Sequence, residues 1–241
     1  MENTMNITPM EQPRNPHQKM PVILLLDTSG SMDGEGIKDL NHGIALLKNE
    51  ILNNPHLQGR IELGIISFND TAKVERCLDL VTVDTTMPSL TAGGQTNTVA
   101  GISAALAEIS ARKQFYRKNH EQHYRPLLLL MTDGRSSNSS EEVAAIRSTL
   151  QEGMDKKQFM FKPVAVGDAA DAAELARMSP STTDERLKKT VVVTKLNDTT
   201  AFGEFFLFLS ASIGTAAAGR TGVAEVTLEP EIGHTMTFAL N

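Results

Sequence analysis

The sequence predicts an α/β chain built on an open, doubly wound, mostly parallel sheet, with helices on both faces and one antiparallel edge strand. Three observations carry this expectation. Short apolar runs alternate with amphipathic helical patterns along most of the chain. Two of the runs, "PVILLLD" (21–27) and "PLLLLMTD" (126–133), are continuous, as in central strands covered on both faces. Finally, the run at 72–83 follows the one at 60–68 too closely for a helical crossover, so those two pair antiparallel at an edge.

Taken in order, residues 1–19 hold three prolines and little apolar content, which predicts a flexible tail. A strand follows at 21–27. Over 36–52, Ile37, Leu40, Ile44, Leu47 and Ile51 recur at helical spacing along one face. Strands are expected at 60–68 and 72–83, a helix at 96–113, and a strand at 126–133. The helix at 139–153 opens on "SSEE", with hydroxyl caps and first-turn acids, and Gly153 is placed as its stop. A strand at 159–167, a helix at 171–178, a strand at 190–195 and a helix at 199–213 complete the core. Beyond it, "GVAEVTLEPEIGHTMTF" alternates like one or two further strands. The expected organisation is a tail (1–19), one domain (20–214) and a C-terminal extension (215–241).

Composition narrows the function. With 241 residues and 40% apolar content the chain buries a core without covalent staples. A net charge of −6 gives no general reason to expect nucleic acid or anionic lipid as partner. The single cysteine, Cys77, excludes an internal disulfide and points to the reduced cytosol; in "AKVERCLDL" it reads as a half-buried filler. The N-terminus lacks the apolar stretch of a secretion signal, and "FGEFFLFLSASIG" is too short to span a bilayer and is interrupted by Glu204. These features predict a soluble cytoplasmic protein without a membrane partner.

Ligands of open parallel sheets gather beyond the carboxyl ends of the strands. Two predicted strands end there in Asp followed by a Gly-containing turn, "LLLDTSGS" at Asp27 and "LLLMTDG" at Asp133. Between them, "TAGGQTNT" bends at Gly93 and Gly94 just before a helix, with Thr96 near the helix N-terminus. An isolated D-x-S-x-S is an ordinary polar turn. Here three loops agree at one edge and offer two carboxylates, Asp27 and Asp133, and three hydroxyls, Ser29, Ser31 and Thr96. All five are oxygen donors with no His or Cys nearby, a set that suits a hard divalent ion such as Mg²⁺. In a locally extended loop, Asp27, Ser29 and Ser31 face one way while Thr28 and Gly30 face the other.

Catalytic readings of the same residues fare worse. A haloacid-dehalogenase-type phosphatase needs an acid two residues after its nucleophilic Asp, and position 29 is Ser. An aspartic-protease dyad needs a second D-T/S-G loop in a β-rich lobe, and "TDG" at 132–134 has another order. A nucleophilic Ser29 needs a positioned base, and no motif brings His17, His42, His56, His120, His123 or His234 to it. The alternative of another class is a metal-dependent phosphohydrolase using the same oxygen cluster. The stretch "ARKQFYRKNHEQHYR" (111–125) reads as a solvated helix end, or as a docking patch for an acidic partner or for single-stranded nucleic acid through Phe115, Tyr116 and Tyr124. His120 and His123 have helical spacing for a transition metal but no evident third ligand.

"DTSGSM", "GGQTN" and "MTDG" resemble, in order and spacing, the metal-ion-dependent adhesion site (MIDAS) of von Willebrand factor A (VWA) domains. The resemblance covers about residues 20–213. Through "PVILLLDTSGSM", "GIISFNDTAKV", "YRPLLLLMTDG" and "FGEFFLFLSASI" it is nearest to bacterial cytoplasmic proteins of the tellurite-resistance TerY type. It implies a Rossmann-like sheet and a Mg²⁺ or Mn²⁺ ion held by Ser29, Ser31 and Thr96, with Asp27 and Asp133 binding directly or through water. It also implies a non-enzymatic interaction module whose ion takes a Glu or Asp from a protein partner. That partner is expected in a stress-response or phosphorylation-linked assembly with a kinase or phosphatase.

Overall fold

A computed structural model describes residues 17–133, 136–166, 172–180, 194–196, 223–227 and 235–239. The tail before residue 17, the start of the strand expected at 190–195 and the helix expected at 199–213 lie outside the described residues. The central sheet comprises β1 (Met20–Asp27), β2 (Ile61–Phe68), β3 (Ala72–Leu80), β4 (Leu127–Thr132), β5 (Met160–Val166) and β6 (Thr194–Leu196). Its order is β3-β2-β1-β4-β5-β6, with every pair parallel except β2 and β3. The short link between β2 and β3 does enforce an antiparallel edge, as expected.

The alternation of side chains along β1 divides the core. Met20, Val22, Leu24 and Leu26 face one side and pack with Ile37, Leu40, Ile44, Leu47 and Ile51 of α1 (Glu35–Asn53), the same stripe that the sequence marks. Ile23 and Leu25 face the other side, against Ile102, Ala105 and Ile109 of α2 (Thr98–Asn119) and Ile146 and Leu150 of α3 (Ser140–Asp155). Each of these leucine, isoleucine, valine and methionine side chains contributes about 1.5–3 kcal/mol when fully buried. A short α4 (Ala172–Met178) adds Leu175 and Met178 to this second side. At the C-terminus, β7 (Val223–Thr227) and β8 (Thr235–Ala239) form their own antiparallel pair, the two further strands of the alternating segment.

Three expectations are corrected. Gly153 does not stop α3, which runs on to Asp155. A Cβ at Gly153 would lie 2.3 Å from the Phe159 ring, so glycine is required there by a close approach inside the helix. Ser139 does cap this helix, in a reciprocal box with Glu142. Cys77 is exposed rather than half-buried, because on the edge strand β3 it is Leu78 beside it that enters the core. The basic stretch, lastly, is not a uniformly solvated surface. Helix α2 continues to Asn119 and buries Tyr116, 1% exposed, while Arg112 reaches Glu62 with its Nε and Nη2 at 2.7 and 2.5 Å. The Tyr116 hydroxyl donates to the same carboxylate, so Tyr116 is not available for stacking bases. Phe115, Arg117 and Lys118 remain exposed. His123 stacks on Tyr116, with ring centroids 4.4 Å apart, and its Nδ1 lies 2.7 Å from the Tyr124 carbonyl oxygen.

Glu62 is 1% exposed at the start of β2, and the half-buried Arg112 is its counter-charge. Replacing Arg112 by Ala removes the one cation that is hydrogen-bonded to that carboxylate among the described residues. Chemical denaturation is expected to show a loss of about 3–5 kcal/mol; a loss below about 1 kcal/mol, the value of an ordinary surface pair, would contradict this assignment.

Candidate metal centre

Strand order fixes where a site can form. The chain leaves β1 towards β2 and β3 on one side and towards β4, β5 and β6 on the other, so β1 and β4 flank the switch point. Asp27 is the last residue of β1, and Asp133 follows the last residue of β4. The register Leu26↔Met131 brings the next residues of these strands, Asp27 and Thr132, side by side.

Asp27 is fully buried. Its Oδ1 accepts the Ser29 N–H at 2.8 Å and its Oδ2 accepts the Thr132 hydroxyl at 2.5 Å. Both donors are neutral. No basic side chain among the described residues forms an ion pair with it. Burial therefore raises its pKa above the ordinary 3.8, the two side-chain hydrogen bonds from Thr132 and Ser29 oppose the shift, and the nearby Asp133 charge adds to it. Thr132 is the functional neighbour that the sequence reading missed; the parallel register of β1 and β4 is the signal that places it.

The β1 loop is not extended throughout, as the period of two had suggested. It is extended only through Ser29 and then closes a 3₁₀ turn over Gly30–Met32, because Met32 turns back into the core and its N–H bonds the Ser29 carbonyl at 3.0 Å. The turn still brings the hydroxyls of Ser29 and Ser31 to 2.9 Å from each other. Ser29 is buried and Ser31 exposed, so the pair runs from the interior to the surface. Thr28 faces away, as expected, with its hydroxyl donating to the Phe68 carbonyl at 3.1 Å.

The Gly-Gly loop lies directly against this turn. Gly30 N–H donates to the Gly94 carbonyl at 3.0 Å, and Gly93 N–H to the Thr28 carbonyl at 2.8 Å. Gly94 has φ +81°, a conformation that favours glycine. Thr96, 8% exposed, precedes the α2 cap Asn97, and its carbonyl accepts the Ser137 N–H at 2.8 Å from the loop after β4. Asn138 of that loop donates to the Asn97 side chain at 3.0 Å. The loops carrying all five sequence-marked residues are thus bonded to one another at one end of the sheet.

This donor set fits a divalent cation. A carboxylate taken out of water without a counter-charge costs on the order of several kcal/mol, and an adjacent cation removes that cost. Hydroxyl and carboxylate oxygens suit a hard ion. Among the described residues no group of three or more His, Cys, Asp or Glu could hold a metal, so His120 and His123 do not build a transition-metal site there.

A family model described as the von Willebrand factor type A domain matches residues 22–205. No curated protein matches the chain in sequence. Among solved structures, proximal thread matrix protein 1 from the mussel byssus, with a zinc-occupied MIDAS motif, is similar at TM-score 0.52 and 17% identity, over 83% of this chain and 46% of that one. The pilus adhesin SpaC from Lactobacillus rhamnosus GG gives a TM-score of 0.61 at 12% identity, over 83% of this chain and 31% of the adhesin. The PilB minor pilin from Streptococcus sanguinis, as a point mutant, gives 0.57 at 12% identity, over 84% of this chain and 63% of the pilin. The chain spans less than two thirds of each of these proteins, and at such identities the likeness is one of fold.

The raised pKa of Asp27 has a measurable consequence in metal-free protein. A carboxyl that binds its proton more tightly in the folded state adds stability below its unfolded pKa, and that stability is lost as pH rises through the folded value. With EDTA present, the Asp27 contribution to the unfolding free energy is therefore expected to fall from about pH 4 upwards. Asp27→Asn is expected to remove this part of the slope and to leave metal-free protein more stable than wild type at neutral pH. Parallel pH profiles for the two proteins would contradict the buried, uncompensated carboxylate.

Proposed function

The chain belongs to the von Willebrand factor type A domain family, and from that premise we propose that it is a non-enzymatic, metal-dependent protein-interaction module. Its divalent ion is held by Ser29, Ser31 and Thr96, with Asp27 and Asp133 bound directly or through water, and it recognises a Glu or Asp of a protein partner. The observation that carries this reading is the fully buried Asp27 carboxylate, whose donors among the described residues are neutral, set beside paired hydroxyls at the switch point of the sheet. Neutral hydroxyl ligands quench little of an ion's charge, so the bound ion retains affinity for an incoming carboxylate. The bond between Ser29 Oγ and the Ser31 hydroxyl supports a pair of ligands rather than an activated nucleophile.

The oxygen donor set favours Mg²⁺ or Mn²⁺; the zinc-occupied motif of the mussel neighbour adds zinc as a competitor to be tested. The finer reading, drawn from the resemblance to TerY-type proteins, is a bacterial cytoplasmic protein acting in a stress-response or phosphorylation-linked complex with a kinase or phosphatase. No helix among the described residues is long and apolar enough to cross a membrane.

Calorimetric titration with Mg²⁺ tests the site. The Ser29→Ala/Ser31→Ala double variant is expected to bind at least about tenfold more weakly than wild type, a loss of about 1.4 kcal/mol or more; equal affinity would sink the assignment. Affinity purification from host extract, once with Mg²⁺ and once with EDTA, tests the function. Partners retained only with metal are expected, whereas phosphate-ester turnover that disappears in Asp27→Asn would make the cluster an enzyme.

A further inference from the structure

The loop that carries Thr96 has bonding partners on three sides. Two are the metal loops already described, after β1 and after β4. On the third side stands the turn between β2 and β3, which offers no residue of the metal motif. From that turn, Asp70 Oδ1 accepts the Gln95 N–H at 3.1 Å, the Asp70 carbonyl accepts the Asn97 side-chain amide at 3.4 Å, and the Asn69 carbonyl accepts the Asn97 N–H at 2.7 Å. These contacts bracket Thr96, one residue to each side. Asp70 also fills the space beside the glycine turn: a Cβ at position 94 would lie 2.3 Å from its Oδ2 and 3.0 Å from its Cγ. The left-handed Gly94 and the Asp70 carboxylate are therefore matched to each other, although Asp70 itself is exposed and needs no partner for its own burial.

We propose that Asp70 is a positioning residue of the metal centre: by accepting the Gln95 N–H and packing against Gly94, it holds the Gly-Gly loop so that Thr96 stands ready to ligate. This rests on the metal reading above. The work done by Asp70 is local ordering. A loop with a left-handed glycine has many conformations open to it, and fixing each of its residues carries an entropic cost. A brace that fixes the loop before metal arrives removes part of that cost from binding. Negative charge near the ion is a distinct contribution, and the two separate by substitution. Asp70→Asn keeps an oxygen acceptor for Gln95 but loses the charge, whereas Asp70→Ala loses both.

The experiment is Mg²⁺ calorimetry on full-length wild type, Asp70→Ala and Asp70→Asn, with amide hydrogen exchange of Gln95 measured in EDTA. Groups that orient metal ligands are typically worth 10–100-fold in affinity, and for this exposed brace about tenfold weaker binding is expected in Asp70→Ala. Asp70→Asn is expected to restore most of that loss, and Gln95 exchange to be faster in the Ala variant and close to wild type in the Asn variant. Equal weakening in both variants would overturn positioning in favour of bare charge. Unchanged affinity in Asp70→Ala, even with altered thermal stability, would reduce Asp70 to a turn residue. Absence of Mg²⁺ binding by wild type would overturn the metal reading together with this one.

Discussion

The structure buries two carboxylates at opposite ends of adjacent parallel strands and treats them in opposite ways. Glu62, at the start of β2, receives a bidentate guanidinium from Arg112 and the Tyr116 hydroxyl. Asp27, at the end of β1, accepts the Ser29 N–H and the Thr132 hydroxyl, and among the described residues no basic side chain pairs with it. Burial makes an uncompensated charge expensive, so the same chain that neutralises Glu62 with a basic side chain leaves Asp27 without an ion pair among the described residues. That shortfall is the constraint around which this end of the sheet is arranged. It pushes the carboxyl towards its protonated form, and a divalent ion reverses the push.

Everything near Asp27 follows from how the sheet delivers it. β1 is buried along its whole length, and its two faces are covered by different helices, so its end lies in the interior rather than at an exposed edge. The parallel register with β4 sets Thr132 beside Asp27, and the register with β2 sets Phe68 opposite Asp27, where its carbonyl accepts both the backbone N–H and the hydroxyl of Thr28. With Thr28 thus pinned to β2, the chain turns through Ser29 and Ser31 towards the surface. A graded path from a dry carboxylate to an exposed hydroxyl suits an ion that must be held from below and reached from above.

Much of this was legible in the residues, and the failures have physical causes. The stripe of α1, the continuous runs of β1 and β4 and the antiparallel edge strand all follow from periodicity and spacing, because each depends on local burial. That the loops of the D-x-S-x-S, Gly-Gly-x-Thr and T-D-G segments come together was readable because strand ends of a parallel sheet converge. What escaped depends on side-chain contacts that periodicity and spacing do not reveal. Gly153 resembles a helix stop until Phe159 is seen against it. The basic look of 111–125 conceals Arg112 and Tyr116 turning inward to Glu62. Asp70 carries no motif, and its pairing with Gln95 spans two separate loops. The extended shape expected of the β1 loop failed at Met32, whose burial requires a turn.

The most direct measurement is anomalous diffraction from crystals of the protein grown with Mn²⁺. The account predicts one strong anomalous peak at the switch point between β1 and β4, about 2.1–2.3 Å from the hydroxyl oxygens of Ser29 and Ser31, a bonding distance for hydroxyl ligands of such an ion. Density at that position from a water hydrogen-bonded to Asp27, with no anomalous signal at saturating Mn²⁺, would contradict it.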